Sequence, residues 1–165
     1  MIHQAERTCI ELDHGELARS LFLEGYNCAQ SVFCAFADVT GMDREQAARF
    51  SASFGGGMGR LREVCGAMSA ALMVLGLVRG YSDPTDMQGK KELYALVQEY
   101  SRRFQAENGS YICRELLSGV PVTSGSEPEE RNEAYYLRRP CPGIIEKAAR
   151  VLDQMLAETA SDVSP

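Results

Sequence analysis

Positive charge is in short supply. The 165 residues include only 17 lysines and arginines against 23 aspartates and glutamates, for a net charge of −6. Sequence-independent nucleic-acid binding needs clustered cations, so this balance argues against that role. Histidine is scarcer still. His3 and His14 are the only two, a poor basis for a histidine-rich metal site or a Ser–His–Asp triad. No Cys-x-x-Cys pair occurs, so neither a thioredoxin-type site nor a zinc ribbon is indicated, and Cys-x-x-Cys-His haem attachment is missing too. The longest apolar stretch, Val64 to Val78, is interrupted by Ser69 and is shorter than the ~20 residues of a bilayer span. Met1 to Glu16 mixes acids with Arg7 and has no signal-peptide core. These absences predict a cytoplasmic protein with no membrane insertion, in which thiols stay reduced.

The patterning that is present is helical. Asp13 with Glu16, Asn27 with Gln30, and Asp43 with Gln46 each have the spacing of a helix start. Leu17, Leu21 and Phe22 stripe the first helix, and Gly25 stops it. Ala29, Val32, Phe33 and Phe36 form the buried side of the second. The third ends before Gly55. An apolar helix runs to about Arg79, and Asp83-Pro84 introduces the longest one. There, Leu93, Val97, Tyr100 and Phe104 recur on one face. Ser110 is placed to cap a short helix from Tyr111 to Leu117. Ser118 to Asn132 reads as a linker. The last helix begins at Cys141-Pro142, with Ile145, Ala149, Leu152 and Leu156 along one side. No strand pattern or repeat appears. The expectation is an all-α fold: one domain over residues 1–160, a compact bundle of five to seven helices, with 161–165 as a tail.

Six cysteines are many for a cytosolic chain of this size, where they point to metal, cluster or redox chemistry. Cys28, Cys113 and Cys141 fall at or near predicted helix starts, and Cys65 follows the run Gly55, Gly56, Gly57 and Gly59. A helix N-terminus carries unpaired N–H donors and partial positive charge, which favour the thiolate and predict lowered thiol pKa values. Arg60 and Arg62 precede Cys65, Arg114 follows Cys113, and Arg138 and Arg139 precede Cys141. Cys34 lies about 240° round a helix from Cys28, so the two cannot share a face. Cys34 and Cys9 read as bystanders. The glycine run lacks the Gly-Lys-Ser/Thr ending of a P-loop and follows a helix rather than a strand, so close backbone approach to Cys65 or its ligand is the better reading.

Several segments together carry a resemblance. They are Gly25-Tyr26-Asn27-Cys28-Ala29-Gln30-Ser31-Val32, Phe54-Gly55-Gly56-Gly57-Met58-Gly59-Arg60, Cys65-Gly66-Ala67-Met68-Ser69-Ala70, Cys113-Arg114-Glu115-Leu116-Leu117, and Arg139-Pro140-Cys141. Over roughly Leu17 to Met155 the chain resembles the C_GCAxxG_C_C family of redox-active proteins, which is related to the helical domain of split-Soret cytochromes. The resemblance implies that Cys28, Cys65, Cys113 and Cys141 are the family's four cysteines. The box ends in Ala70 where the family has glycine; alanine is still small, so close helix packing should survive.

Two redox readings follow if the four cysteines converge. One is an iron–sulfur cluster serving electron transfer, with [2Fe–2S] favoured and Gly55, Gly56, Gly57, Gly59 and Gly66 supplying the backbone around it. The other is metal-free thiol–disulfide exchange, with Cys65 as the attacking thiolate. A structural Cys₄ zinc module fits the ligand count but not the wide spacing. A non-enzymatic accessory protein, transporter-associated or binding a small ligand in a cysteine-lined pocket, is a further class. The apolar helix 64–78 would serve a homo-oligomer interface as readily as a core. The redox partner is not specified.

Overall fold

The computed structural model describes residues 13–161; Cys9, His3 and the tail 162–165 lie outside them. Among the described residues the chain is helical with no strand, as the patterning predicts. The long elements are α1 (His14–Leu23), α2 (Cys28–Ala35), α4 (Arg44–Ser51), α5 (Gly66–Arg79), α6 (Met87–Asn108) and α9 (Cys141–Ser161). The short helices α3 (Ala37–Thr40), α7 (Cys113–Leu116) and α8 (Glu133–Arg138) lie between them, and a 3₁₀ turn (Ala52–Phe54) and a glycine turn (Gly55–Met58) follow α4. α3 and α8 are too short to leave a period in the sequence. No helix among the described residues is long and apolar enough to cross a membrane.

The helix starts are set locally. Asn27 Oδ1 accepts from the Gln30 amide at 2.9 Å, while Gln30 Oε1 accepts from the Asn27 amide at 3.1 Å, a complete capping box. Asp13 and Asp43 cap α1 and α4 through their carboxylates, which accept from the Glu16 and Gln46 amides at 3.0 and 2.9 Å. α6 starts later than its sequence suggests. Asp83 spends its carboxylate on the Thr85 amide at 2.8 Å, and Asp86 becomes the cap by accepting from Gly89 N–H at 2.8 Å.

α2 is the centre of the bundle. It packs on α1, α4, α5 and α9, so Ala29, Val32, Phe33 and Cys34 are all buried, as is Phe36 just after its end. α1 lies along α9, and α6 packs on α5 and α9. Tyr100 and Phe104 of α6 are fully buried, and the Tyr100 hydroxyl donates to the Ala148 carbonyl at 2.9 Å. Ala70 is fully buried within the core, so the departure from glycine at that position leaves α5 closely packed.

His14, at the other end of the bundle from the cysteines described below, ties three elements together. Its Nδ1 pairs with Asp153 at 2.6 Å, its Nε2 pairs with Asp38 at 3.0 Å, and its ring stacks on Phe36 at 4.1 Å. The hydrogen bond to Asp153, opposed by burial and helped by Asp38, raises the imidazole pKa above its ordinary value.

Candidate functional site

Cys28, Cys65, Cys113 and Cys141 line one cavity of about 60 Å³. Their neighbours there include Phe22, Ile144, Ile145 and the arginines Arg62, Arg131 and Arg139. Each cysteine reaches the cavity from the start of a different helix. Cys28 is the first residue of α2, Cys113 of α7 and Cys141 of α9, and Cys65 is the N-cap of α5.

Backbone pairing joins two of these starts. Residues 62–65 run antiparallel to 111–114, with Cys65 N–H donating to Tyr111 O at 2.8 Å, Cys113 N–H to Glu63 O at 2.6 Å and Arg114 N–H to Arg62 O at 3.1 Å. This pairing holds Ile112 extended, so α7 begins at Cys113 and not at Tyr111. Ser110 consequently caps no helix; its hydroxyl accepts from the Ile112 amide at 3.0 Å.

Glycine permits the other two approaches. A Cβ on Gly66 would stand 2.5 Å from Cys28 Sγ and 2.8 Å from Phe54 O, so α5 can meet α2 this closely only without a side chain there. Gly57, at φ +68°, lies against Cys113; a Cβ would stand 2.6 Å from that residue's own Cβ. The turn around Gly57 also holds Met58, Arg60 and Arg62 at positive φ, strained for side-chain-bearing residues. Of the five glycines expected to approach a ligand, Gly56 lines the cysteine cavity, and it joins Gly55 and Gly59 on the wall of the chamber beside it. Gly57 and Gly66 act by closeness to cysteines.

Burial, and not the helix ends, dominates thiol ionisation. Cys65 is pushed well above the ordinary thiol range by burial and by the nearby Cys28, against the pull of the Ala67 and Met68 amides. Burial likewise raises Cys141 to about 11, despite Arg139. It raises Cys113 too, with Arg62 opposing. The expectation of acidic thiols at Cys113 and Cys141 is therefore corrected: the cations and amides are present, but losing water outweighs them. Cys34 is buried elsewhere in the core, with its Sγ 3.8 Å from the Arg44 carbonyl, and burial raises its pKa as well.

The arginines sort differently from their sequence neighbours. Arg62 and Arg139 face the thiols. Arg114 turns outward and pairs with Glu63 at 2.7 Å, and Arg138 lies half-exposed at 4.0 Å from Glu129. Two participants were not legible in the sequence, Arg131 and Glu129, because both fall in the stretch that reads as linker. The Arg131 guanidinium stacks over Phe22 and Tyr135, while Arg139 lies over Tyr135 at 4.4 Å. Glu129 pairs with Arg139 at 2.8 Å. Burial works against its ionised form, but the Thr123 amide and the Arg139 guanidinium hold its pKa down at about 2.

The family model of the C_GCAxxG_C_C family, described as "Putative redox-active protein", matches residues 26–155. The chain belongs to the C_GCAxxG_C_C family. No curated protein and no solved structure matches it. The four cysteines that the resemblance assigns to the family pattern are the four that line the cavity. Four thiols match a cluster's ligand set in number and type, and Arg62 and Arg139 are suited to their anionic forms. Among the described residues, no three Cys, His, Asp or Glu side chains are arranged to hold a single metal ion.

Proposed function

We propose that this C_GCAxxG_C_C protein is an electron-transfer protein that holds an iron–sulfur cluster, of [2Fe–2S] type, between Cys28, Cys65, Cys113 and Cys141. The observation that carries the reading is the cavity between the four thiols. Protein cores are close-packed, and a void in one forfeits contacts. A void walled by four cysteines with guanidiniums beside them fits an occupant that thiolates ligate. When bound, such a cluster supplies one-electron chemistry. The chain's own part is to hold the ligands and their surroundings. Phe22, Ile144 and Ile145 limit water, the amides of Ala67 and Met68 favour anionic sulfur at Cys65, and Arg62 and Arg139 do so at Cys113 and Cys141. Burial keeps Cys65, Cys113 and Cys141 protonated before ligation, so ligation would release protons from these three.

The test is anaerobic purification followed by iron and acid-labile sulfide analysis with a visible spectrum. Iron, sulfide and charge-transfer absorption are expected. Each of Cys28→Ser, Cys65→Ser, Cys113→Ser and Cys141→Ser should abolish or weaken that absorption, while Cys34→Ser should keep it. A protein that takes up no iron under reconstitution refutes the reading.

The second reading, thiol–disulfide exchange, is supported by the close approach of Cys28 Sγ to the first residue of α5, next to Cys65. On that reading the oxidised protein is lighter by two hydrogens per disulfide, and Cys65→Ser is the most damaging change.

A further inference from the structure

Beside the cysteine cavity lies a second chamber of about 290 Å³, at the lower end of the size range of small-molecule sites. Arg60, Arg62, Arg131 and Arg139 line it, and Glu129 is the one carboxylate among its lining residues. Four cations against one anion is an unusual surplus in a protein whose net charge is −6. Arg62, Arg131 and Arg139 line both chambers.

The surplus is also incompletely bonded. Arg62 Nε, Arg131 Nη1 and Arg139 Nε are buried and have no hydrogen-bond partner among the described residues. Arg139 is only 7 % exposed. An unpaired buried charged donor is costly, and structures retain few of them. The three guanidiniums are also held in place before any ligand arrives. Tyr135 is stacked by both Arg131 and Arg139, and Glu129 fixes one nitrogen of Arg139. Arg60 is tied to Thr123 and Gly125 by bonds of 2.7 to 3.0 Å. Planar, preorganised guanidiniums gathered on one chamber wall are the chemistry that recognises oxygen anions.

We propose that this second chamber binds a small oxoanion group through Arg62, Arg131 and Arg139, the three arginines that it shares with the cysteine cavity. The proposal deepens the redox reading, because it gives the thiol site an anionic substrate or effector. The anion is either a free inorganic oxoanion or the charged end of a larger small molecule.

Calorimetry on the full-length, anaerobically purified chain tests this with inorganic phosphate as the probe, in a low-salt buffer free of oxoanions. One saturable site is expected, weakening as salt is added. Arg62→Gln and Arg139→Gln should each weaken binding about tenfold or more, the effect of one charge-assisted hydrogen bond, while Arg139→Lys should lose less than Arg139→Gln. Arg102→Gln, an exposed pair with Glu99, should bind like the parent. Far-UV circular dichroism reports folding, and the less buried Arg62 carries the test if Arg139→Gln does not fold. A phosphomonoester that binds more tightly than phosphate identifies the charged end of a larger molecule; phosphate binding more tightly identifies a free oxoanion. No saturable binding by about 10 mM phosphate overturns the proposal. So does equal binding by parent, Arg62→Gln and Arg139→Gln. Iron content is measured separately: phosphate binding without iron uptake removes only the cluster, and iron uptake without phosphate binding removes only the anion site.

Discussion

The substitution Gly66→Ala probes the junction of scaffold and site. Its added Cβ would stand 2.5 Å from Cys28 Sγ, 2.8 Å from the Phe54 carbonyl oxygen and 3.0 Å from the Ala29 amide nitrogen. Two of these three are backbone atoms and cannot turn aside, so α2 and α5 must separate. Overpacking of this kind costs about 1–3 kcal/mol. The gain in helix propensity is small at the first residue of a helix. A net loss of about 2 kcal/mol lowers the melting temperature of a domain this size by roughly 4–8 °C. Gly76→Ala in the same helix is the matched control. Nothing stands within 4 Å of a Cβ there, so alanine should add up to about 1 kcal/mol and raise the melting temperature by roughly 2–4 °C. Thermal melts followed by far-UV circular dichroism measure both. The separation also moves the Cys28 thiol off the cavity, so Gly66→Ala should lower iron uptake where Gly76→Ala does not. Gly66→Ala melting at or above the parent temperature would refute the close-approach argument.

Three further outcomes follow from the same contacts. His14 has a raised pKa, so its ion pairs stabilise fully below the unfolded value near 6.5 and are lost as pH rises through the higher folded value; urea stability should fall across that window in the parent and not in His14→Gln. Glu129 has a depressed pKa, so its contribution is present above about 4.5 and is lost as pH falls towards 2. Glu129→Gln, which leaves the Arg139 guanidinium buried without its carboxylate, should cost about 3 kcal/mol at neutral pH by denaturant titration. With the cavity empty and the protein reduced, alkylation of Cys141 should remain slow at pH 7 and rise only as pH approaches 11; fast labelling at pH 7 would show the thiol to be far less buried than it is here.

Short-range chemistry is what the sequence makes legible. The Asn27–Gln30 capping box and the caps at Asp13 and Asp43 join residues three apart, and each forms as written. The buried stripe of α2 follows in the same way from Ala29, Val32, Phe33 and Phe36. Long-range pairing is where local signals lose. Ser110 has the right identity for a cap, but the tie between 62–65 and 111–114 keeps Ile112 extended. The helix start at Cys141 is legible, and a start close to Cys113 is too, yet the acidity they suggest is not realised, because burial is a tertiary property that no local pattern records. Arg131 and Glu129 were hidden for a related reason. The stretch from Ser118 to Asn132 has linker composition, and only the folded chain brings its arginine and glutamate to the cysteines.

Two features of the thiol site pull in opposite directions. Burial keeps Cys65, Cys113 and Cys141 protonated at neutral pH, while the surrounding cations and amides favour anionic sulfur. A surface nucleophile needs neither such burial nor several guanidiniums. The combination makes sense for thiols that ionise only when something positive takes the place of their protons. On the proposed reading, a cluster's iron provides that compensation inside the cavity, and Arg62 and Arg139 stabilise the anionic charge that remains. The same arginines also line the second chamber, so charge in either chamber is felt in the other. An oxoanion bound there would draw on Arg62 and Arg139 and leave less of their charge to stabilise the thiolates. On the cluster reading, bound phosphate should therefore shift the reduction potential to a more negative value, and Arg62→Gln should move the shift to about tenfold higher phosphate, as it does the binding.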